Sequence, residues 1–328
     1  MKAIVFTRYG SPDVLELREV EKPAPADGEV LVRVHAAALN DWDYGALLGT
    51  DFVNRILFGL LRPRPKKQIL GSDVAGRVEA VGRNVTRFQP GDEVFGDLSG
   101  TWGGFAEYVC AREKALERKL PGMTFEQAAA IPQAFLLALQ ALRDKARIRP
   151  GQTLLVNGAG GGVGTFAIQI ARAHGLEVTG VDSAEKLDLM RSLGADHVID
   201  YRQEDFTASG RRYDRILDVK TSRSVLDCAR ALKPDGVYVT VGGSMPRLFQ
   251  ALLLLPWLRL TTRKSVRVLA LKPNKGLTDI NELFESGKVV PVIDGPYTLS
   301  EVPAAFRHFG EGRHKGKVVI TLAQPDAS

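Results

Sequence analysis

The chain has 328 residues, 45% of them hydrophobic and 25% charged, and a formal net charge of +6. That length exceeds one typical core, so two domains are expected, and the composition is ordinary for a soluble globular protein. Cys110 and Cys228 are the only cysteines; they cannot build a disulfide framework and point to a reducing, cytoplasmic setting.

Met1 to Phe6 runs straight into a strand-like pattern, without the long apolar region of a signal peptide. Residues 1 to about 120 read as short strands broken by Gly and Pro. Glu29 to His35 and Val74 to Val81 alternate apolar and polar positions, and Pro90-Gly91-Asp92 is a turn leading into Glu93-Val94-Phe95. Such spacing predicts a small β-barrel or sandwich. Within it, Arg55, Arg62, Arg64, Lys66 and Lys67 lie beside the apolar run Ile56 to Leu61. A segment of this kind can meet a membrane surface or nucleic acid, or form a solvated loop whose apolar residues line a pocket. The last reading is preferred, and no nucleic-acid partner is expected.

Helical patterning begins at Thr124-Phe125-Glu126-Gln127, which has the form of a capping box. Strands and helices then alternate: strand 153–157, helix 163–174, strand 177–181, helix 184–193, strand 197–201, strand 215–219, a helix from Val225 to about Leu232, and strand 237–241. The alternation predicts a doubly wound parallel sheet. Val289 to Ile293 and Lys317 to Ile320 return to strand-like runs. The expected division is 1–123 with 267–328 for the first domain and 124–266 for an inserted nucleotide domain. Leu248 to Leu260 is the most apolar run, but it holds Gln250, Pro256 and Arg259 and is too short to span a bilayer. It reads as a buried helix, a subunit contact or a lipophilic wall. No stable membrane insertion is expected.

The most informative stretch is Thr153 to Gly164. A short apolar run enters a turn with five glycines, and Phe166, Ala167, Ile170, Ala171 and His174 then share one helix face. A pyrophosphate approaching backbone would be obstructed by any Cβ, and Gly158, Gly161 and Gly164 fall at three-residue steps with a helix N-terminus behind them. A second strand ends at Asp182, eighteen positions after Gly164, near the spacing of an acidic residue that binds an adenosine ribose. This combination predicts a dinucleotide site.

Taken together, these motifs resemble the medium-chain dehydrogenase/reductase superfamily in its zinc-free quinone oxidoreductase branch. The resemblance rests on Leu39-Asn40 with Asp43, Gly71-Ser72-Asp73-Val74-Ala75-Gly76, Pro90 to Val94, Gly103 to Tyr108, the glycine turn, and Leu193 to Tyr201. It covers nearly the whole chain and implies an α/β protein: a GroES-like β-barrel domain plus a Rossmann domain. It implies reduction of a quinone or an enone by NAD(P)H, and a homo-oligomer. The candidate catalytic residues are Asn40, Asp43 and Tyr44. Asp43 reads equally as a helix N-cap, and Tyr44 equally as barrel packing.

The candidate cofactor contacts are Asn157, Gly158, Gly161, Gly162, Val163 and Gly164 in the turn, and Asp182, Ser183 and Lys186 after the second strand. Tyr201, Val219, Gly242, Gly243 and Lys317 complete the set. Asp182 favours NAD(H), because a carboxylate accepts from a ribose hydroxyl and repels a 2′-phosphate. Lys186 and Tyr201 match positions that hold that phosphate in NADPH-dependent quinone reductases, which keeps NADP(H) open. No metal is expected. The zinc enzymes of the superfamily carry a Cys where this chain has Asn40 and a Gly-His-Glu where it has Gly71-Ser72-Asp73, and its five histidines lack ligand spacing. Two positions depart from the branch: Gly45 often stands as Tyr there, and Leu137 as Thr. A nucleotide-holding protein with little turnover is the competing reading.

Overall fold

The computed structural model describes residues 1–221, 223–242 and 262–322. The predicted segment Leu248 to Leu260 and the candidate Gly243 lie outside them. The chain forms two compact units. The first comprises Met1–Gln133, Pro273–Thr278 and the chain from Pro291 onward; the second comprises Ala134–Lys272 and Asp279–Val290.

The first unit is built on seven strands from the N-terminal part. β1 (Lys2–Val5) and β2 (Glu16–Glu19) pair antiparallel; β3 (Glu29–Ala38), β4 (Asp73–Val81), β5 (Glu93–Asp97), β6 (Tyr108–Arg112) and β7 (Glu117–Arg118) form the main sheet. Strands Ile293–Thr298 and Lys317–Thr321 complete it, in the order Ile293–Thr298, Lys317–Thr321, β3, β4, β5, β7, with β6 also on β3. The alternation of β3 sends Val30, Val32 and Val34 into a core shared with Phe6, Phe105 and Phe306. At its end Ala36, Ala37 and Ala38 are all fully buried, and small side chains there let neighbours lie close on both faces. Helix α1 (Asp41–Leu48) follows at once, and α2 (Phe52–Phe58) after it. Helix α3 (Phe125–Ala130) begins at the predicted box: Gln127 N donates to Thr124 Oγ1 at 3.2 Å and Thr124 N to Gln127 Oε1 at 2.9 Å. It belongs to this unit, and Phe125 stacks on His35 at 4.1 Å.

The strand expected at 289–293 begins only at Ile293. Gln169 takes both backbone groups of Val290, accepting from its N at 2.8 Å and donating to its O at 3.0 Å. Pro291 has no N–H to offer a ladder. Apolar content alone concealed this.

The second unit is a six-stranded, wholly parallel sheet of β8 (Thr153–Asn157), β9 (Glu177–Asp182), β10 (His197–Asp200), β11 (Tyr213–Asp218), β12 (Leu232–Thr240) and β13 (Ser265–Val268). Its order is β10-β9-β8-β11-β12-β13. The chain therefore reverses direction across the sheet between β8 and β11, and α/β sheets bind ligands beyond the carboxyl ends of strands at such a point. Helix α5 (Gly162–Ala173) packs on β8 and β9, and the helical segment Gln140–Ala146 that continues α4 (Pro132–Leu139) packs on β11 and β12. The helix predicted over 184–193 is a 3₁₀ turn, Ala184–Lys186, continued as the helix Leu187–Ser192.

At the reversal, Asp218 is completely buried. It accepts from Asn157 Nδ2, Thr221 N and Tyr238 Oη, each at 2.8 Å. Burial and the Asp218 charge both push the Tyr238 hydroxyl well above the ordinary tyrosine range, so it stays a donor. This carboxylate ties the ends of β8 and β11 to β12. Asp218→Ala would strand the two buried donors of Asn157 and Tyr238, at about 1–3 kcal/mol each, and the half-buried Thr221 N–H, so urea titration should show a loss of at least about 2 kcal/mol. Asp218→Asn, which keeps an acceptor, should lose less than half of that.

Candidate active site

In the second unit the glycine turn follows β8 and is closely packed. Gly158 has φ +86°, and a Cβ there would meet Lys220 Cγ at 2.8 Å. A Cβ on Gly160 would meet Lys186 at 2.7 Å, and one on Gly164 would run into the backbone of Gly158 and Ala159. Gly164 thus lets α5 pack against the turn itself. Gly161 caps α5 in an extended conformation. The amides of Gly162, Val163 and Gly164 begin the helix with no intrahelical acceptor, and Gly162 and Val163 are partly exposed. Such amides and the helix dipole suit an anion.

Asp182, 7% exposed, turns its carboxylate back toward that loop. Oδ2 accepts from Gly160 N at 2.9 Å, while Oδ1 accepts from Ser183 N at 2.9 Å and lies 3.4 Å from Lys186 Nζ. Three of about four acceptor positions of a carboxylate are thereby occupied, and one remains. Tyr201 joins the cluster through its N–H to Asp182 O, with its ring 47% exposed beneath the Arg202 guanidinium. Asp182, Ser183, Lys186 and Tyr201 therefore do come together. Asn157 ends β8, its carbonyl accepting from Val219 N at 3.0 Å. Gly242, at φ +153°, follows β12 and accepts from Thr240 Oγ1 at 2.8 Å.

In the first unit, Asn40, Asp43 and Lys317 share one buried polar network. Asn40 caps α1 and is 6% exposed. Its Oδ1 accepts from Lys317 Nζ, and its Nδ2 donates to Ser72 Oγ at 3.1 Å. Lys317 also donates to Leu39 O at 3.1 Å and pairs with Asp73 Oδ2 at 3.1 Å. An ammonium has three N–H groups, and here all three are engaged within this unit. Lys317 thereby orients Asn40 and Asp73. Asp43 sits at the third position of α1, not at its cap, and has no exposed surface. It accepts from Asn40 N at 3.1 Å and Gly71 N at 2.9 Å. Burial, with the Asp73 charge nearby, raises its carboxyl to about 7 despite those two donors.

Tyr44 packs among Phe306, at 6.4 Å, and Phe309, at 5.9 Å, with its hydroxyl beside Gly310. That is the packing alternative for this residue. At Gly45 a Cβ would press on Asn54 Nδ2 at 2.9 Å, which accounts locally for the absence of a larger side chain.

Sequence reasoning did not single out Asp73, Asp97 or Asp218 as site residues. Asp73 begins β4, and Asp97 and Asp218 end β5 and β11; a buried carboxylate at a strand end demands partners, but each of these strands carries other charged residues, so nothing in the sequence set these three apart. Asp73 is buried between Lys317 and Gln133 N, and burial holds its carboxyl above the ordinary range against the pull of Lys317. Asp97 accepts from Ser99 through Oδ1, while its buried Oδ2 has no partner. Among the described residues, no group of three or more His, Cys, Asp or Glu is arranged to hold a metal ion.

A sheet carrying a buried amide and a parallel sheet carrying a glycine-rich turn are the two parts of the two-domain pyridine-nucleotide dehydrogenases and reductases that the chain matches. Residues 26–121 match the Alcohol dehydrogenase GroES-like domain family, and residues 193–320 match the Zinc-binding dehydrogenase family. The chain is 37% identical over 336 residues to 2-methylene-furan-3-one reductase of Solanum lycopersicum, covering 98% of this chain and 79% of that protein. It is 34% identical to the chloroplastic NADPH-dependent alkenal/one oxidoreductase of Arabidopsis thaliana, with the same two coverages. The solved quinone oxidoreductase of Coxiella burnetii superposes with a TM-score of 0.88 at 31% identity, covering 98% of this chain and 99% of that one. The chain belongs to the medium-chain dehydrogenase/reductase superfamily, in its quinone oxidoreductase branch.

The buried carboxylates give a pH signature. Burial, then the charge of Asp73, raises Asp97 from 3.8 to about 6. Asp97 therefore binds its proton more tightly folded than unfolded. Its favourable contribution is full below about pH 4 and is lost as pH rises through 6. Each tenfold difference in proton affinity between the two states is worth about 1.36 kcal/mol. Asp97→Asn should therefore stabilise the protein at pH 8 by up to about 3 kcal/mol and leave it nearly unchanged at pH 4. Thermal melts of both proteins from pH 4 to pH 8 check this; parallel curves would contradict it.

Proposed function

We propose that this chain is an oxidoreductase that uses NAD(P)H to reduce quinones or α,β-unsaturated carbonyls without a catalytic metal. The observation that carries the reading is Asn40, a buried amide locked by Lys317 and Ser72 with one N–H still to give. The names of the tomato, Arabidopsis and Coxiella relatives support the acceptor class. When bound, the dihydronicotinamide supplies a hydride, which adds to the β-carbon of an enone or to a quinone, and a proton from water completes the reduction. The glycine turn and the first amides of α5 hold the pyrophosphate. Asn40 donates its remaining amide hydrogen to the acceptor oxygen as negative charge develops there, the kind of fixed donor that stabilises an oxyanion. Asp43 does not touch the acceptor; it fixes the Asn40 and Gly71 backbone, as a positioning residue. Tyr44 serves packing.

Asp182 supports NADH as the preferred donor. Its one remaining acceptor position suits a ribose hydroxyl, and its charge opposes a 2′-phosphate. Lys186 offsets part of that charge, and the Arabidopsis relative is named for NADPH, so the preference is open to direct measurement. NADH and NADPH oxidation would be followed with a panel of quinones and enones, with and without a chelator. Wild type should turn over both acceptor classes, prefer NADH by kcat/KM and ignore the chelator. Asp182→Asn retains an acceptor for Gly160 N while removing the charge. Losing a charged hydrogen bond is worth roughly 1.5–3 kcal/mol, so the NADH/NADPH ratio should fall about tenfold or more. A strong wild-type preference for NADPH would reverse the cofactor reading. Tight nucleotide binding without any turnover would favour the nucleotide-holding alternative.

A further inference from the structure

Helix α2 and the loop after it carry apolar side chains on both sides. Inward, Phe58 is fully buried against Phe6 at 6.4 Å and Trp102 at 4.5 Å. Outward, Phe52, Val53, Ile56 and Leu57 recur at helical spacing and are 39–71% exposed; Leu60 and Leu61 extend the patch at 58% and 91%. A helix with apolar residues on opposite faces is expected to be covered on both, yet the outward apolar residues of this one lie at the surface. Contiguous exposed apolar patches mark interaction sites.

The charge beside the patch is mostly positive, the one acid next to it being Asp51, whose carboxylate is taken up in capping α2 through Asn54. Residues 52–67 include Arg55, Arg62, Arg64, Lys66 and Lys67 and no Asp or Glu. Arg55 donates to Gly49 O and Leu60 O, Arg64 to Ile56 O, and Lys67 to Gly100 O. These acceptors are backbone carbonyls, so the positive charge is not neutralised by them. Arg62 and Lys66 are exposed.

We propose that this face docks reversibly on an anionic lipid bilayer, seating its aliphatic side chains among the acyl chains and its cations among the headgroups. Apolar burial and attraction to anionic lipid act together in such interfacial binding, and Lys and Arg stems can lie along apolar surface with their heads in the polar layer. A second copy of the chain fits less well, because a two-fold interface sets a patch against itself and would oppose like charges. Nucleic acid would satisfy the cations but leave five aliphatic side chains wet. The proposal does not depend on the reaction assigned above.

The test is co-sedimentation of the full chain with phosphatidylcholine vesicles, with and without about one third phosphatidylglycerol. The protein should pellet with the anionic vesicles and be released by high salt. Arg62→Gln with Lys66→Gln should lower the partition coefficient roughly tenfold or more, since each cation near such a surface contributes about fivefold. Leu57→Ser with Leu61→Ser should abolish pelleting while the melting temperature stays at the wild-type value. Failure to pellet, or pelleting unchanged in both variants, overturns the proposal. So does dissociation of a dimer by the leucine pair with no vesicle binding in wild type, or binding to a nucleic-acid duplex alone.

Discussion

Close packing around bare glycine backbone shapes the turn of the second unit. Gly160 has no room for a Cβ because Lys186 and Asp182 lie against it, and Gly164 has none because the helix presses on the turn. The same carboxylate that blocks Gly160 accepts its N–H, so the turn is braced from the second strand. On the other side, Asp218 draws Asn157 and Tyr238 together and fixes the strand ends at the reversal of the sheet. The glycines of the loop and the two carboxylates behind it are parts of one arrangement.

The first unit meets a different constraint, the burial of charge. A buried ion pair is a poor source of stability, because desolvation offsets the attraction, although breaking it by removing one partner is costly. Lys317 and Asp73 are better understood by what they orient. Lys317 fixes the oxygen end of Asn40, Ser72 fixes its nitrogen end, and Asp43 fixes its backbone. A side chain held at both ends on a fixed backbone loses little freedom when it meets a ligand, which is the condition for electrostatic preorganisation. Asp97, with an oxygen lacking any partner, is the least satisfied member of this group.

Much of this was legible in the sequence, for physical reasons that differ by element. The parallel sheet was readable because strands and helices alternate in period, and the turn because only glycine meets its steric demand. The capping box at Thr124 was readable because it is local. Val289 to Val292 was not, because the side chain that claims its backbone, Gln169, is distant in the chain. Lys317 was placed with the cofactor by resemblance, and its partners Leu39, Asn40 and Asp73 follow from the pairing of a C-terminal strand with β3, which no local pattern reveals. Asp43 sat one turn from the role foreseen as a cap because Asn40 holds that position. The run Ile56 to Leu61 was read as a solvated loop lining a pocket, and its start within a short helix that also turns Phe52 and Val53 outward emerged only from the three-dimensional arrangement.

The central claim is that hydride passes directly to a conjugated acceptor while a fixed amide steadies the oxygen. Reduction of an enone with nicotinamide deuterated at the transferring C4 position, followed by locating the label in the product, tests it most directly. The account predicts deuterium at the β-carbon and a solvent proton at the α-carbon, with Asn40→Ala lowering kcat by about a hundredfold, the lower range for a lost oxyanion donor, and leaving the label in place. Solvent hydrogen at the β-carbon, or an Asn40→Ala enzyme of undiminished kcat, would contradict it.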